Sequence, residues 1–168
     1  MAGALIITAE IGERDRSWID QLRRDHYPAE RNRLPAHLTM FYALPPSAEG
    51  EARRTLASIS SGPQPSAALE GLMDLGGGVA FRVVSQELDE IREELAARLY
   101  GLLGAQDIGG WRPHITIQNK VRPSDARDLK ARLEKEFRTR ALQISGLGLY
   151  RYLDGPWEKV ASYSFRGG

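Results

Sequence analysis

The tetrapeptide His37-Leu38-Thr39-Met40 returns seventy-seven residues later (114 − 37 = 77) as His114-Ile115-Thr116-Ile117. Each copy alternates polar and apolar residues, the period of a β-strand. On a strand, residues i and i+2 point to one face. Each copy therefore presents an imidazole beside a hydroxyl and turns two apolar residues toward a core. The fold has to provide two half-buried strands in matching places, 37–44 and 114–121. If those strands meet, two histidines and two threonines share one space.

The remaining elements fall around these strands in strand–helix alternation. Ala4 to Ile11 reads as a buried strand, and Arg16 to His26 as a helix with Trp18, Ile19 and Leu22 on one side. A loop from Pro28 to Pro35 leads into the first motif strand. Ser47 is placed to cap a helix carrying Ala52, Leu56 and Ile59. Gly62-Pro63-Gln64-Pro65 is the strongest break and marks a lobe boundary. Ala67–Leu75 and Val79–Val84 form a hairpin around Gly76-Gly77-Gly78, which lacks the Gly-Lys-Ser/Thr ending of a P-loop. Leu88, Ile91, Leu95, Leu99 and Leu102 make an amphipathic helix after Ser85. Ser124 begins a helix with Ala126, Leu129, Leu133 and Phe137. Two strands, 142–152 and 157–165, close the chain around Asp154-Gly155-Pro156. Each motif strand thus has a helix before it and a helix after it.

Composition removes several functions. The 168 residues suffice for one core, which two lobes can share. Net charge is +1, against the basic excess of a protein that grips long nucleic acid. An RNA partner is therefore a short piece or a terminus. Cysteine is absent, which excludes disulfides, thiol nucleophiles and Cys-based zinc sites. No segment approaches the ~20 apolar residues of a membrane span. The start lacks the pattern of a signal peptide. The expectation is a cytoplasmic monomer.

The paired His-x-Thr-apolar motifs, with Leu34-Pro35-Ala36 leading into the first, resemble those of the two-histidine phosphoesterase superfamily. That group includes the 2′-5′ RNA ligase-like proteins and cyclic nucleotide phosphodiesterases. Length, motif spacing and element order fit over nearly the whole chain. The resemblance implies an α+β fold in one domain spanning 1–168. Its two lobes would be related by a pseudo-twofold duplication, with antiparallel sheets facing a central groove and helices outside. It implies that the motif strands form opposite walls of that groove. It also implies 2′,3′-cyclic phosphodiester substrates, no metal and no cofactor, with His37 as the acid and His114 as the base.

The residues support this chemistry on their own terms. Opening a cyclic phosphodiester needs a base for water and an acid for the leaving ribose oxygen. Imidazole serves as either, since its ordinary pKa of about 6.5 lies near working pH. Threonine hydroxyls can donate to the non-bridging oxygens, where transition-state charge collects. The motif symmetry alone permits either histidine to be the acid. With a 5′-hydroxyl in place of water, the same groups join a cyclic phosphate end to a second chain, so ligation and hydrolysis share one site.

Strand phase adds candidate substrate contacts. Phe41 shares the face of His37 and is placed to stack on a base. Gln118 and Lys120 follow His114 on its face, and Arg112 precedes it. Arg31 and Arg33 lie in the loop before the first motif. Tyr150, Tyr152 and Trp157 are candidates for a groove edge. His26 has no Thr partner and reads as structural, at a helix end that favours a cation.

Other classes fit less well. Neither motif carries a second ligand at metal spacing. The threonines occupy the places where a histidine-triad hydrolase alternates histidines. A non-catalytic RNA- or nucleotide-binding module of the same fold is the alternative, separable by turnover of a cyclic phosphate.

Overall fold

The computed structural model describes residues 3–166. The apolar run at the start forms β1 (Leu5–Ile11), buried at every residue except Glu10. Near-continuous burial marks a strand inside a sheet, and β1 is flanked on both sides. One neighbour is β2 (Leu38–Leu44), the first motif strand; the other is β6 (Arg140–Tyr152). The second half contributes β3 (Ser66–Asp74), β4 (Val79–Val84) and β5 (His114–Gln118). The order is β2-β1-β6-β3-β4-β5, with β7 (Trp157–Ser164) also paired to β6. Every one of these pairings is antiparallel.

This is the α+β class that the sequence implies, with one difference in how its halves join. The 13-residue β6 belongs to both. Its residues 140–143 pair with β3, and its residues 144–151 pair with β1. One continuous strand order therefore replaces two separate sheets. Its two ends are the motif strands β2 and β5, which also approach each other.

Among the described residues, five helices pack against this sheet. They are α1 (Glu13–His26), α2 (Glu49–Ser60), α3 (Gln86–Arg98), α4 (Ala105–Ile108) and α5 (Pro123–Glu136). None of them is long and apolar enough to cross a membrane. Helix α1 starts at Glu13, three residues before the expected Arg16. Glu13 and Asp15 in its first turn and Arg23, Arg24 and His26 in its last turn suit the helix dipole. Although α1 follows β1 in sequence, it packs on β5, and Trp18 stacks on Phe81 of β4 with centroids 5.3 Å apart. Ser85 does cap α3, its Oγ accepting from the Leu88 N–H at 3.0 Å. Ser47 and Ser124 are not caps. Ser47 sits in a 3₁₀ turn (Pro46–Ala48), and α5 begins on Pro123, whose fixed φ suits a first helical position.

The motif strands share an irregularity that alternation alone does not reveal. Along β2, Leu38 and Thr39 pair with Ala9 and Thr8, but the next pair is Phe41 with Ile7, so Met40 is an extra residue. Along β5, His114, Ile115 and Thr116 pair with Arg82, Phe81 and Ala80, and the next pair is Gln118 with Val79. Here Ile117 is the extra residue. Each motif therefore ends in a β-bulge directly after its threonine. A bulge adds one residue to one strand and reverses the facing of the residues beyond it.

Candidate active site

The two bulges decide which predicted residues reach the site. Leu38 to Phe41 are all buried, and Phe41 is fully so, with the Arg92 guanidinium 4.6 Å from its ring centre. The expected face-sharing of Phe41 with His37 does not hold, and its ring is closed to stacking. Gln118 is likewise displaced. It is buried at 7% exposure beside Val121, Asp125 and Asp128, away from the motif residues. Arg112 precedes β5, which begins only after Pro113. It lines a different cavity, with Asp89 and Trp111.

His37 and His114 are held in the same way. His37 precedes β2 by one residue, and its Nδ1 lies 2.8 Å from the carbonyl of Pro35. The Nδ1 of His114 lies 2.7 Å from the carbonyl of Arg112. A carbonyl only accepts, so each neutral ring carries its proton on Nδ1 and leaves Nε2 for chemistry. The rings are close enough for charge on His114 to depress the pKa of His37.

Most supports for each motif come from the opposite half. The carbonyl of Thr116 accepts from Nη1 of Arg23 on α1 at 2.7 Å, and the other amino group of Arg23 reaches the Leu34 carbonyl at 3.1 Å. Arg23 thus ties β5 to the loop that carries His37. Reciprocally, the carbonyl of Thr39 accepts from the Trp111 indole at 3.1 Å, and that of Met40 from Arg92 at 3.2 Å. The Asp107 carboxylate accepts the N–H groups of Tyr42 and Ala43. Asp20 accepts the N–H of Ala36, next to His37. As sheet edges, β2 and β5 would leave these backbone groups unpaired, and side chains from across the molecule satisfy them.

His37 divides two spaces. One is a cleft of about 770 Å³ in which it joins Thr116, Arg23, Arg31, Arg33 and Lys120. Tyr27, Glu30 and Tyr152 also line this cleft. Of the predicted contacts, Arg31, Arg33, Lys120 and Tyr152 line this cleft with the motif residues. Lys120 arrives through the turn after β5 rather than by strand alternation. The other space is a cavity of about 430 Å³ lined by Trp157, Tyr150, Glu10 and Lys159. The Trp157 ring is 4.8 Å from that of His37, and the Tyr150 hydroxyl donates to Glu10 at 2.9 Å. Burial, then the neighbouring carboxylate, hold the Tyr150 phenol above its ordinary pKa, so it remains a donor.

The histidines and threonines differ in setting. Part of His37 reaches the cleft, but protein crowds the ring on most sides. This desolvation lowers its pKa to about 4, opposed by its backbone hydrogen bond and helped by Arg23 and His114. Thr116 lines the cleft, whereas Thr39 is only 7% exposed. His26 closes α1 as expected, but burial pulls its pKa down and makes it less cationic than the helix end favours. Among the described residues, no three or more His, Asp or Glu side chains group as a metal site.

The pattern of the 2′-5′ RNA ligase superfamily matches residues 11–156, well over half of the chain. The chain belongs to that superfamily. Its fold is similar to TT0787 of Thermus thermophilus, with a TM-score of 0.67 at 17% identity over 98% of both chains. It is also similar to E. coli LigT. With 3′-AMP bound, LigT gives a TM-score of 0.61 at 15% identity over 99% of both chains. With NADP+ bound it gives 0.59 at 18% over 98% of this chain and 99% of that one. Among curated proteins, none matches. The superfamily supports an enzyme of the phosphodiesterase type.

Glu10, Arg23, Asp107, Trp111 and Lys159 escape a reading of the sequence alone. Trp111, three residues before His114, carries the one local signal that could mark it.

Proposed function

We infer that the protein is a metal-independent phosphodiesterase that opens 2′,3′-cyclic phosphates, or a closely related RNA or nucleotide diester, with His37 and His114 as its acid–base pair. The observation that carries this reading is the matched tethering of the two imidazoles. Both Nδ1 atoms are engaged by backbone carbonyls two residues back, and both Nε2 atoms remain for proton transfer. The basic cleft that His37 shares with Thr116 supplies the charge that a phosphodiester requires.

The crowding of His37 bears on the roles of the pair. The resemblance makes His37 the acid, but the pKa of its partly buried ring favours the neutral form at working pH. Burial thus supports the reverse assignment. Neutral His37 takes a proton from water as the water oxygen bonds to phosphorus. The bond from phosphorus to one ribose oxygen breaks, and protonated His114 delivers its proton to that oxygen. Thr116 and Thr39 donate to the non-bridging oxygens. With a 5′-hydroxyl in place of water, the same groups perform a 2′-5′ ligase reaction: the 5′-oxygen bonds to phosphorus, the bond to the ribose 3′-oxygen breaks, and that oxygen takes the proton. Both proton transfers and the charge stabilisation come from side chains, so the reaction needs no divalent ion.

A panel of 2′,3′-cyclic mononucleotides, short RNAs with cyclic-phosphate ends and 2′-5′-linked dinucleotides tests this, each scored for turnover with and without EDTA. Turnover of at least one cyclic phosphate, unchanged by EDTA, is expected. Binding without turnover would favour the RNA-binding module instead, and activity restored only by an added metal would contradict the mechanism.

A further inference from the structure

Opening one phosphodiester requires compensation for one negative charge, and the cleft beside His37 holds more than that. Four cations line it, Arg23, Arg31, Arg33 and Lys120, against Glu30 as the one acid among the described residues. The whole chain has 23 lysines and arginines and 22 acids, so this concentration is local. Arg31, Arg33 and Lys120 are exposed, and among the described residues none of them forms an ion pair.

Arg23 is the strongest indicator. Its side chain is 3% exposed, its two amino groups bind carbonyls, and its Nε has no partner. A buried guanidinium without a carboxylate partner is costly, and a bound anion relieves that cost. Lys120 stands in a constrained turn. Its backbone has φ of 62°, the left-handed region that glycine and asparagine occupy most easily. A lysine is uncommon in that region, and this one lines the cleft. Tyr152 lines the same cleft and supplies a ring face of the kind on which single-stranded bases stack, whereas one face of the Tyr27 ring is taken by the Arg23 guanidinium, 4.6 Å from its centre.

We propose that this cleft contains a second anionic subsite, formed by Arg31, Arg33 and Lys120 around buried Arg23, which holds a second phosphate of the substrate. The preferred substrate is then a cyclic phosphate end that carries another phosphate one nucleoside away. The inference rests on the phosphodiesterase reading for the site of reaction, but its binding test does not. The second phosphate can come from an RNA chain or from a 5′-phosphate on a single nucleotide.

The experiment compares kcat/KM for adenosine 2′,3′-cyclic phosphate, its 5′-phosphorylated form and a dinucleotide ending in a 2′,3′-cyclic phosphate. The second phosphate should raise kcat/KM roughly tenfold or more, the scale of hydrogen bonds to charged groups. The gain should shrink as salt rises. A gain in both larger compounds identifies the phosphate alone as the group recognised; a gain in the dinucleotide only identifies an RNA chain. Arg31→Ala with Arg33→Ala, and separately Lys120→Gly, should reduce the ratio of two-phosphate to one-phosphate kcat/KM. Lys120→Gly suits the left-handed backbone and removes the side chain together with its charge. Arg54→Ala, on the outside of α2, should leave the ratio alone. Equal kcat/KM for all three compounds, or a gain that survives both cleft variants, would overturn the proposal. If none is turned over, the phosphodiesterase reading fails. Adenosine 3′,5′-bisphosphate binding tighter than 3′-AMP would still support the subsite, and equal binding would reject it.

Discussion

His37 and His114 occupy equivalent places in two near-identical tetrapeptides, and both rings are tied to the carbonyl two residues back, at 2.8 and 2.7 Å. Beyond that tether they part. His37 lies outside its strand, 4.8 Å from the Trp157 ring, with the buried Arg23 charge near it. His114 begins its strand and faces no comparable aromatic wall among the described residues. The threonines divide in the same direction, with Thr116 on the cleft and Thr39 nearly closed off. A repeated motif fixes what kind of chemistry is available, while its surroundings distribute the roles. Those surroundings favour His37 as the base and Thr116 as the more effective phosphate donor.

The largest expected effect removes either imidazole. His37→Ala and His114→Ala should each lower kcat by about 10² to 10⁴-fold, the usual range for a general acid or base. A thermal melt should change little, because neither ring is in the core. Wild-type kcat in a folded variant would remove that histidine from the mechanism.

The threonines separate the halves next. Removing an oxyanion donor costs up to about 10² to 10³-fold in kcat. Thr116→Val should approach that range with little change in KM, and Thr39→Val should cost clearly less. Steady-state kinetics on both variants decides it. An equal or larger loss at Thr39 would mean that its hydroxyl reaches the phosphate despite its burial.

The supports of the first motif should show in stability. Asp107→Ala strips the carboxylate from the N–H groups of Tyr42 and Ala43, at a cost of about 2 kcal/mol in denaturant unfolding. A change within about 0.5 kcal/mol would show that those groups find other partners.

A smaller effect comes from titration. His37 has a pKa of about 4 in the folded chain and about 6.5 when unfolded. Between those values the unfolded state binds more protons, so stability falls as pH drops from about 6.5 toward 4. His26 pushes the same way, since burial also lowers its pKa. Comparing melts of the wild type and His37→Gln across this window isolates His37, and the variant should lose less stability on acidification. Parallel curves would mean that the ring is solvated in both states.

Much of the contrast between the motifs is legible in the letters. Alternation locates both motif strands, and the leucine spacing locates α3 with Ser85 as its cap. The bulges leave no trace, because Met40 and Ile117 are as apolar as the alternation expects there. That is why alternation puts Phe41 and Gln118 on the wrong side of their strands. Arg23 is silent in the sequence because its partners depend on tertiary packing: Thr116 lies 93 residues away. Glu10 sits inside an apolar run and gives no sign of facing Tyr150. Arg31 and Lys120 stand out for their charge, but only the folded chain brings them to one cleft.

Matching motifs hold histidines in unequal settings, and desolvation favours the neutral form of His37. The pH dependence of kcat/KM for a 2′,3′-cyclic mononucleotide tests this most directly, read beside an NMR titration of the imidazole of His37 in the free protein. Because kcat/KM reports the free enzyme, its acidic limb should fall with a pKa of about 4, and the His37 ring should titrate at the same value. A His37 ring that titrates at or above about 6.5, the ordinary imidazole value, with activity lost as it deprotonates, would make it the acid and contradict the assignment.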